Sequence, residues 1–67
     1  MDTSSGPVLS GTDLKVARLR RGIHAGDVAR QLGVSKQRVS QMEGVAFPTR
    51  AAIRRYLDAL EALSTQP

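Results

Sequence analysis

Lys36, Gln37, Ser40 and Gln41 are the residues whose types and spacing suggest a chemistry. They stand at i, i+1, i+4 and i+5 of the run KQRVSQME, so on a helix they share one face while Val39 and Met42 face the other way. All four form hydrogen bonds and none is a carboxylate. A Gln amide can bond adenine N6 and N7 together in the major groove, and a Lys can donate to guanine O6 or N7. The row therefore suits the edges of DNA bases. Arg38 stands at its flank and suits a phosphate. The plain alternative is a solvated polar face, but such a face ordinarily includes Glu or Asp, and this row has neither.

The stretch that must position this row runs from Ala25 to Met42, AGDVARQLGVSKQRVSQM. Val28, Ala29 and Leu32 fall at i, i+1 and i+4 and give a first short helix one apolar face. Ala29 is small where two helix axes would cross. Gly33 can take positive φ and end that helix abruptly. Val34 then plugs the turn, and Ser35 can cap a second short helix by accepting from the backbone N–H of Gln37 or Arg38. Two short helices joined by a Gly-containing turn match the helix-turn-helix unit. A small helical bundle with no nucleic-acid role is the alternative to a DNA-reading unit.

The combination of Val28, Ala29, Leu32, Gly33, Val34, Val39 and Met42 resembles the phage repressor and Cro family of helix-turn-helix proteins, also called the xenobiotic-response-element type. The resemblance covers roughly Asp13 to Leu60. It rests also on LKVARLRRGI before the unit and on a Pro-Thr start to a later helix. It implies an all-α, lambda-repressor-like domain, a compact bundle of four short helices, or five if the last one divides. It also implies that Lys36, Gln37 and Gln41 occupy base-contacting positions. Arg18 would pair with Glu43, at the end of the recognition helix, where the alternative is that both are solvated. Two departures stand out. Ala25 replaces a Gln that relatives often set against phosphate. Gly44 directly follows Glu43, and Pro48 comes one residue early, so the loop GVAFP is shorter than the pattern.

The rest of the chain reads in order. Residues 1–11, rich in Ser, Gly and Pro, read as a flexible tail without a basic residue to wrap DNA. The domain follows over residues 12–64, with 65–67 as a C-terminal tail. Thr12 or Asp13 can cap a first helix that ends near Arg21, with Gly22 as its stop. Leu14, Ala17 and Arg21 share one of its faces, and Val16, Leu19 and Ile23 suggest a second apolar strip, so this helix is expected to be sandwiched. His24 is either a weak cap for the next helix or a ring N–H donor to phosphate. Phe47 reads as a plug beneath the core, with base stacking as the alternative. Thr49 caps TRAAIRRYLDALEAL, which has no internal Gly or Pro and is expected to form one longer helix. Ile53, Tyr56, Leu57 and Leu60 would close the core with Leu14, Ala17, Ile23, Val28, Leu32, Val34, Val39 and Met42. Ala59, Leu60, Ala62 and Leu63 extend beyond what that core is expected to cover and form a candidate dimer surface.

Composition narrows the function classes. The 67 residues allow one domain with a modest core. The net charge is +4, and residues 14–43 hold seven Lys or Arg against Asp27 and Glu43. That concentration around the helix-turn-helix suits a polyanionic partner. Lys36 and Arg50 stand in first helical turns, where the dipole disfavours cations unless a phosphate lies between side chain and backbone N–H groups. With no Cys, one His, no paired carboxylates and no phosphate loop, the sequence offers no catalytic constellation, metal ligand set or cofactor motif. No apolar run is long enough to span a membrane, and no signal-peptide layout precedes the domain. The expectation is a cytoplasmic regulator, in a bacterial cell or phage-infected host, without cofactor or small-molecule substrate. It would bind double-stranded DNA as a homodimer, formed in solution or only on a two-fold operator. The alternative is a protein-interaction module on the same fold, antitoxin-like or a scaffold.

Overall fold

The computed structural model describes residues 9–65, and they form four helices joined by short turns. These are α1 (Gly11–Arg20), α2 (Ala25–Leu32), α3 (Lys36–Glu43) and α4 (Arg50–Ser64). The last region is one continuous helix, as the absence of an internal Gly or Pro predicts. The expectation of a flexible tail falls mostly on residues 1–8, which lie outside the described residues. Its last members are part of the fold. Ser10, in place of Thr12 or Asp13, is the cap of α1. Its hydroxyl accepts from the Asp13 N–H at 3.2 Å, and the Asp13 carboxylate accepts from the Ser10 N–H at 2.8 Å. That reciprocal pair satisfies two donors that the first turn leaves free.

Gly11 explains why α1 can begin so early. Its N–H donates to the Val45 carbonyl at 2.7 Å. A Cβ at this position would lie 2.5 Å from the Met42 carbonyl oxygen and 2.6 Å from Glu43 backbone atoms. Only glycine lets the start of α1 rest on the end of α3. Between α2 and α3, Gly33 takes φ 72° as the left-handed cap of α2, and the Val34 N–H closes the turn on the Ala29 carbonyl at 2.9 Å.

The core is made by Leu14, Val28, Ala29, Val39, Tyr56, Ala59 and Leu60, all buried. Around it lie the half-buried Ala17, Ile23, Leu32, Val34, Met42, Ile53, Leu57 and Leu63. Three expectations are corrected. Ala59 and Leu60 belong to this core and are 4% and 1% exposed, so they cannot serve as a dimer surface. The reason is that α4 packs against both α2 and α1 and uses that face within the single chain. Ala62 and Leu63 are half-buried at the same seam. Second, α1 does pack against both the motif, through α3, and the C-terminal helix α4, but it uses one face for both and its second apolar strip is not covered. The helix turns Leu14 and Arg18 toward α3 and α4, which leaves Val16 and Leu19 exposed. Third, Phe47 is no plug but is 83% exposed, because Leu14, Tyr56 and Leu60 already fill the centre.

A polar cluster crosses this core and fixes α3. The Arg18 guanidinium donates from Nε to Glu43 Oε2 at 2.8 Å and from Nη2 to Oε1 at 3.3 Å. Its Nη1 donates to the Ile23 carbonyl at 2.8 Å. The Tyr56 hydroxyl donates to Glu43 Oε2. Among the described residues no buried side-chain nitrogen or oxygen lacks a partner. The hydrogen bonds to Glu43 hold the Arg18 pKa above its ordinary value, against the opposing effect of burial. Burial, then the hydrogen bond to Glu43, pushes the Tyr56 hydroxyl well above the usual tyrosine range.

Two outcomes follow from this cluster. Arg18→Ala and Glu43→Ala should each destabilise the fold by roughly 3 kcal/mol or more, since each leaves a buried charge without its partner. The double variant should lose less than the sum by at least about 1 kcal/mol in urea unfolding. Strict additivity would mean that the two side chains do not act together. The second outcome concerns alkaline pH. Tyr56 is the single tyrosine and there is no Trp, so ultraviolet absorbance reads this one hydroxyl. Its folded pKa lies above its unfolded value of 10.0, so its contribution to stability is complete below pH 10 and is lost as pH rises through the folded value. Native protein should show no phenolate until well above pH 10, while urea-unfolded protein titrates near 10. Coincident curves would place the hydroxyl in water.

Candidate nucleic-acid interface

The candidate surface is the outer face of α3. Ser35 caps this helix, its hydroxyl accepting from the Arg38 N–H at 3.0 Å. Val39 is fully buried and Met42 half-buried, which anchors the inner face against α2 and α1. With that face fixed, the period of the helix leaves Lys36, Gln37, Arg38, Ser40 and Gln41 exposed. The only acid of α3 is Glu43, which is buried and bonded to Arg18. The exposed part of the helix therefore presents two cations, two amides and a hydroxyl, with no anion among them. Such a face can donate to and accept from base edges and is attracted to phosphate.

The remaining predicted residues are spread around this face. Arg38 and Gln41 line a groove with Thr49, at the N-terminus of α4, so the end of α3 and the start of α4 are neighbours. Thr49 caps α4 by accepting from the Ala52 N–H at 3.0 Å, and Arg50, the first helical residue, is exposed. Neither α3 nor α4 has an acid in its first turn. Cations there are unfavourable to the helix alone and favourable only beside an anion. His24 is exposed at the start of α2, and its side chain makes no capping hydrogen bond. Instead the Asp27 carboxylate accepts from the His24 backbone N–H at 3.4 Å. Asp27 also pairs with Arg30, one turn along the same helix. Arg18 and Glu43 are buried and bonded to each other, and they act on the face by holding α3. The structure does not bring Ala59, Leu60, Ala62 and Leu63 to one free surface.

Two residues escaped sequence reasoning. Arg55 lines a narrow cleft together with Arg38, so a third guanidinium joins the edge of the α3 face. The doublet Arg54–Arg55 on a helix that begins with Arg50 was the available signal. Tyr56 carries a polar role that helical spacing alone hides, because a tyrosine at a core position reads as an apolar one.

In a comparison with known families, the model of a helix-turn-helix domain matches residues 11–66. Comparisons with curated proteins and with solved structures give no match. The matched span takes in all four helices and the turn at Gly33, and it begins at Gly11, where α1 begins. By the length of that match, and by the capped pair of short helices that the structure places at its centre, the chain belongs to the helix-turn-helix domain family.

Proposed function

We propose that this protein is a repressor- or Cro-like transcriptional regulator that binds double-stranded DNA and acts as a dimer on a two-fold operator. In this reading α3 enters the major groove. Lys36, Gln37, Ser40 and Gln41 meet base edges, while Arg38, Arg50 and His24 meet phosphate. The dimer blocks polymerase by occupying the site. It is a binding protein of the cytoplasm and not an enzyme. The single observation that carries the reading is the inward turn of Glu43. It removes the one negative charge of α3 from a face otherwise made of donors, amides and a hydroxyl. The bare cations at the N-termini of α3 and α4 support it from a second side.

Dimerisation supports affinity more than fold. A single module covers only about 600–1,000 Å² of protein surface on DNA, and this one has no Gln at Ala25 to add a phosphate contact. Two recognition helices related by a two-fold axis would reach half-sites about 34 Å apart. Phosphate contacts would supply most of the affinity and make it fall steeply with salt.

A second reading is a protein-interaction module on the same fold, antitoxin-like or a scaffold. The exposed Val16 and Leu19 on α1 favour it, since they offer an apolar patch that DNA does not need. Selection from a random duplex pool separates the two. A DNA regulator should enrich a sequence. On that sequence Gln37→Ala and Gln41→Ala should each cost about 1–3 kcal/mol while leaving binding to unrelated duplex nearly unchanged. Arg38→Ala and Arg50→Ala should instead weaken both and shallow the salt dependence by about one charge each. Equal losses on enriched and random DNA would remove the glutamines from base readout. A pool that yields no enriched sequence would favour the interaction module.

A further inference from the structure

Arg38 and Arg55 stand on different helices, α3 and α4, yet line one narrow cleft. The rest of its lining is Leu32, Val34, Met42 and Ala52, all half-buried. The cleft holds about 140 Å³. An aliphatic cavity of roughly 150 Å³ takes up benzene, so there is room here for one ring or a short branched chain. Among the described residues, Arg18 is bonded to Glu43, Arg21 to the Ala17 carbonyl and Arg30 to Asp27. Neither Arg38 nor Arg55 has such a partner among them, and Asp58, one turn beyond Arg55, is not in ion-pair reach of it. Two guanidiniums at one cleft repel each other, and an anion between them removes that cost. The four apolar side chains ask for something else, a body that gains by leaving water.

We propose that this cleft binds a small apolar carboxylate, its ring or branched chain seated on Leu32, Val34, Met42 and Ala52 and its carboxylate held by Arg38 and Arg55. Only a ligand with both parts uses both parts of the lining. A hydrated inorganic anion gains nothing from the apolar side chains, and an uncharged ring leaves the two guanidiniums facing each other. The planar fork of a guanidinium also matches a carboxylate well. Such a ligand is small and its ion pairs are open to water, so its dissociation constant is on the order of 1 mM. Bound there, it occupies the Arg38 guanidinium that the DNA reading gives to a phosphate. Ligand and duplex then compete for one side chain, and each weakens the other by the same factor. This regulatory step rests on the DNA reading above. The binding of the carboxylate does not.

The test is a titration of the full chain followed by methyl and amide NMR at neutral pH and fixed ionic strength. The probe is benzoate. Benzamide serves as the ring without charge, acetate as the charge without a ring, and inorganic phosphate as the bare anion. Benzoate should give saturating shifts at the Leu32, Val34 and Met42 methyl groups, and the other three should bind at least about tenfold more weakly. Arg55→Ala, at an exposed position, should weaken benzoate by about fivefold or more with thermal unfolding nearly unchanged. Ala52→Leu, which fills the cleft and removes no charge, should abolish the shifts. Should that variant not fold, Arg55→Ala decides alone. On the enriched duplex, saturating benzoate should weaken DNA binding by about fivefold or more. Ala52→Leu should bind the duplex about as tightly as the unchanged chain and ignore benzoate. No saturating shift, or shifts that survive Arg55→Ala at full affinity, would overturn the proposal. So would phosphate or acetate binding as tightly as benzoate, which would leave an anion site only, or benzamide doing so, which would leave an apolar crevice. Benzoate that saturates without changing duplex affinity would overturn the competition. Protein that binds benzoate yet enriches no sequence would keep this site and reject the DNA reading.

Discussion

One buried carboxylate, that of Glu43, receives hydrogen bonds from α1 through Arg18 and from α4 through Tyr56. Three helices are thus tied at a single group, and the tie falls at the C-terminal end of the helix that presents the candidate reading face. Two near-parallel bonds from a guanidinium fix a carboxylate in its plane as well as in distance, and the phenol adds a third direction. A core of aliphatic side chains alone would leave α3 freer to roll about its axis. A roll of one residue, about 100°, would carry Gln37 and Gln41 away from a shared outward face. Buried ion pairs are often no more stabilising than apolar packing of the same volume, and their best-attested gain is a unique arrangement. For a helix whose outer face must meet a partner in one orientation, that gain is the relevant one.

The four helix starts show how a domain this small secures its ends. Ser10, Ser35 and Thr49 each cap with a hydroxyl, and each is worth about 1 kcal/mol over an alanine. The start of α2 differs, since His24 contributes no side-chain cap. It is held from its other end and its middle, by the Gly33 turn and by Val28 and Ala29, which lie between α3 and α4 in the packing. The helix start without a side-chain cap is therefore followed by two buried core residues. Tertiary burial here takes over a task that local hydrogen bonding performs elsewhere.

Much of this arrangement is legible in the chain. The period of Val28, Ala29 and Leu32, the break at Gly33 and the period of Val39 and Met42 fix two helices and their turn, and the outward row follows from them. The continuity of α4 follows from the absence of Gly and Pro between Thr49 and Ser64. What stayed hidden depends on distances between elements. A glycine in a Ser- and Pro-rich run reads as tail, and the close approach of Gly11 to Met42 and Glu43 appears only once α1 and α3 are packed. The S-G-T-D spacing of a capping box was present in the sequence at Ser10 to Asp13, and it is the better guide to where the helix begins. The stripe at Ala59, Leu60, Ala62 and Leu63 was legible as apolar, but amphipathicity along one helix does not say which surface covers it. Phe47 shows the converse, an apolar residue in a turn with nothing left in the core to fill.

The contact of Gly11 with Val45 also decides where the start of α1 lies. Leu9 and Ser10 lead into that helix beside the turn that ends α3. Thr65, by contrast, caps the far end of the longest helix. A spectroscopic label attached at Leu9 therefore reports on the surroundings of the candidate reading helix, and one attached at Thr65 reports on the end of α4. The choice of labelled position is a choice about which end of the domain is watched.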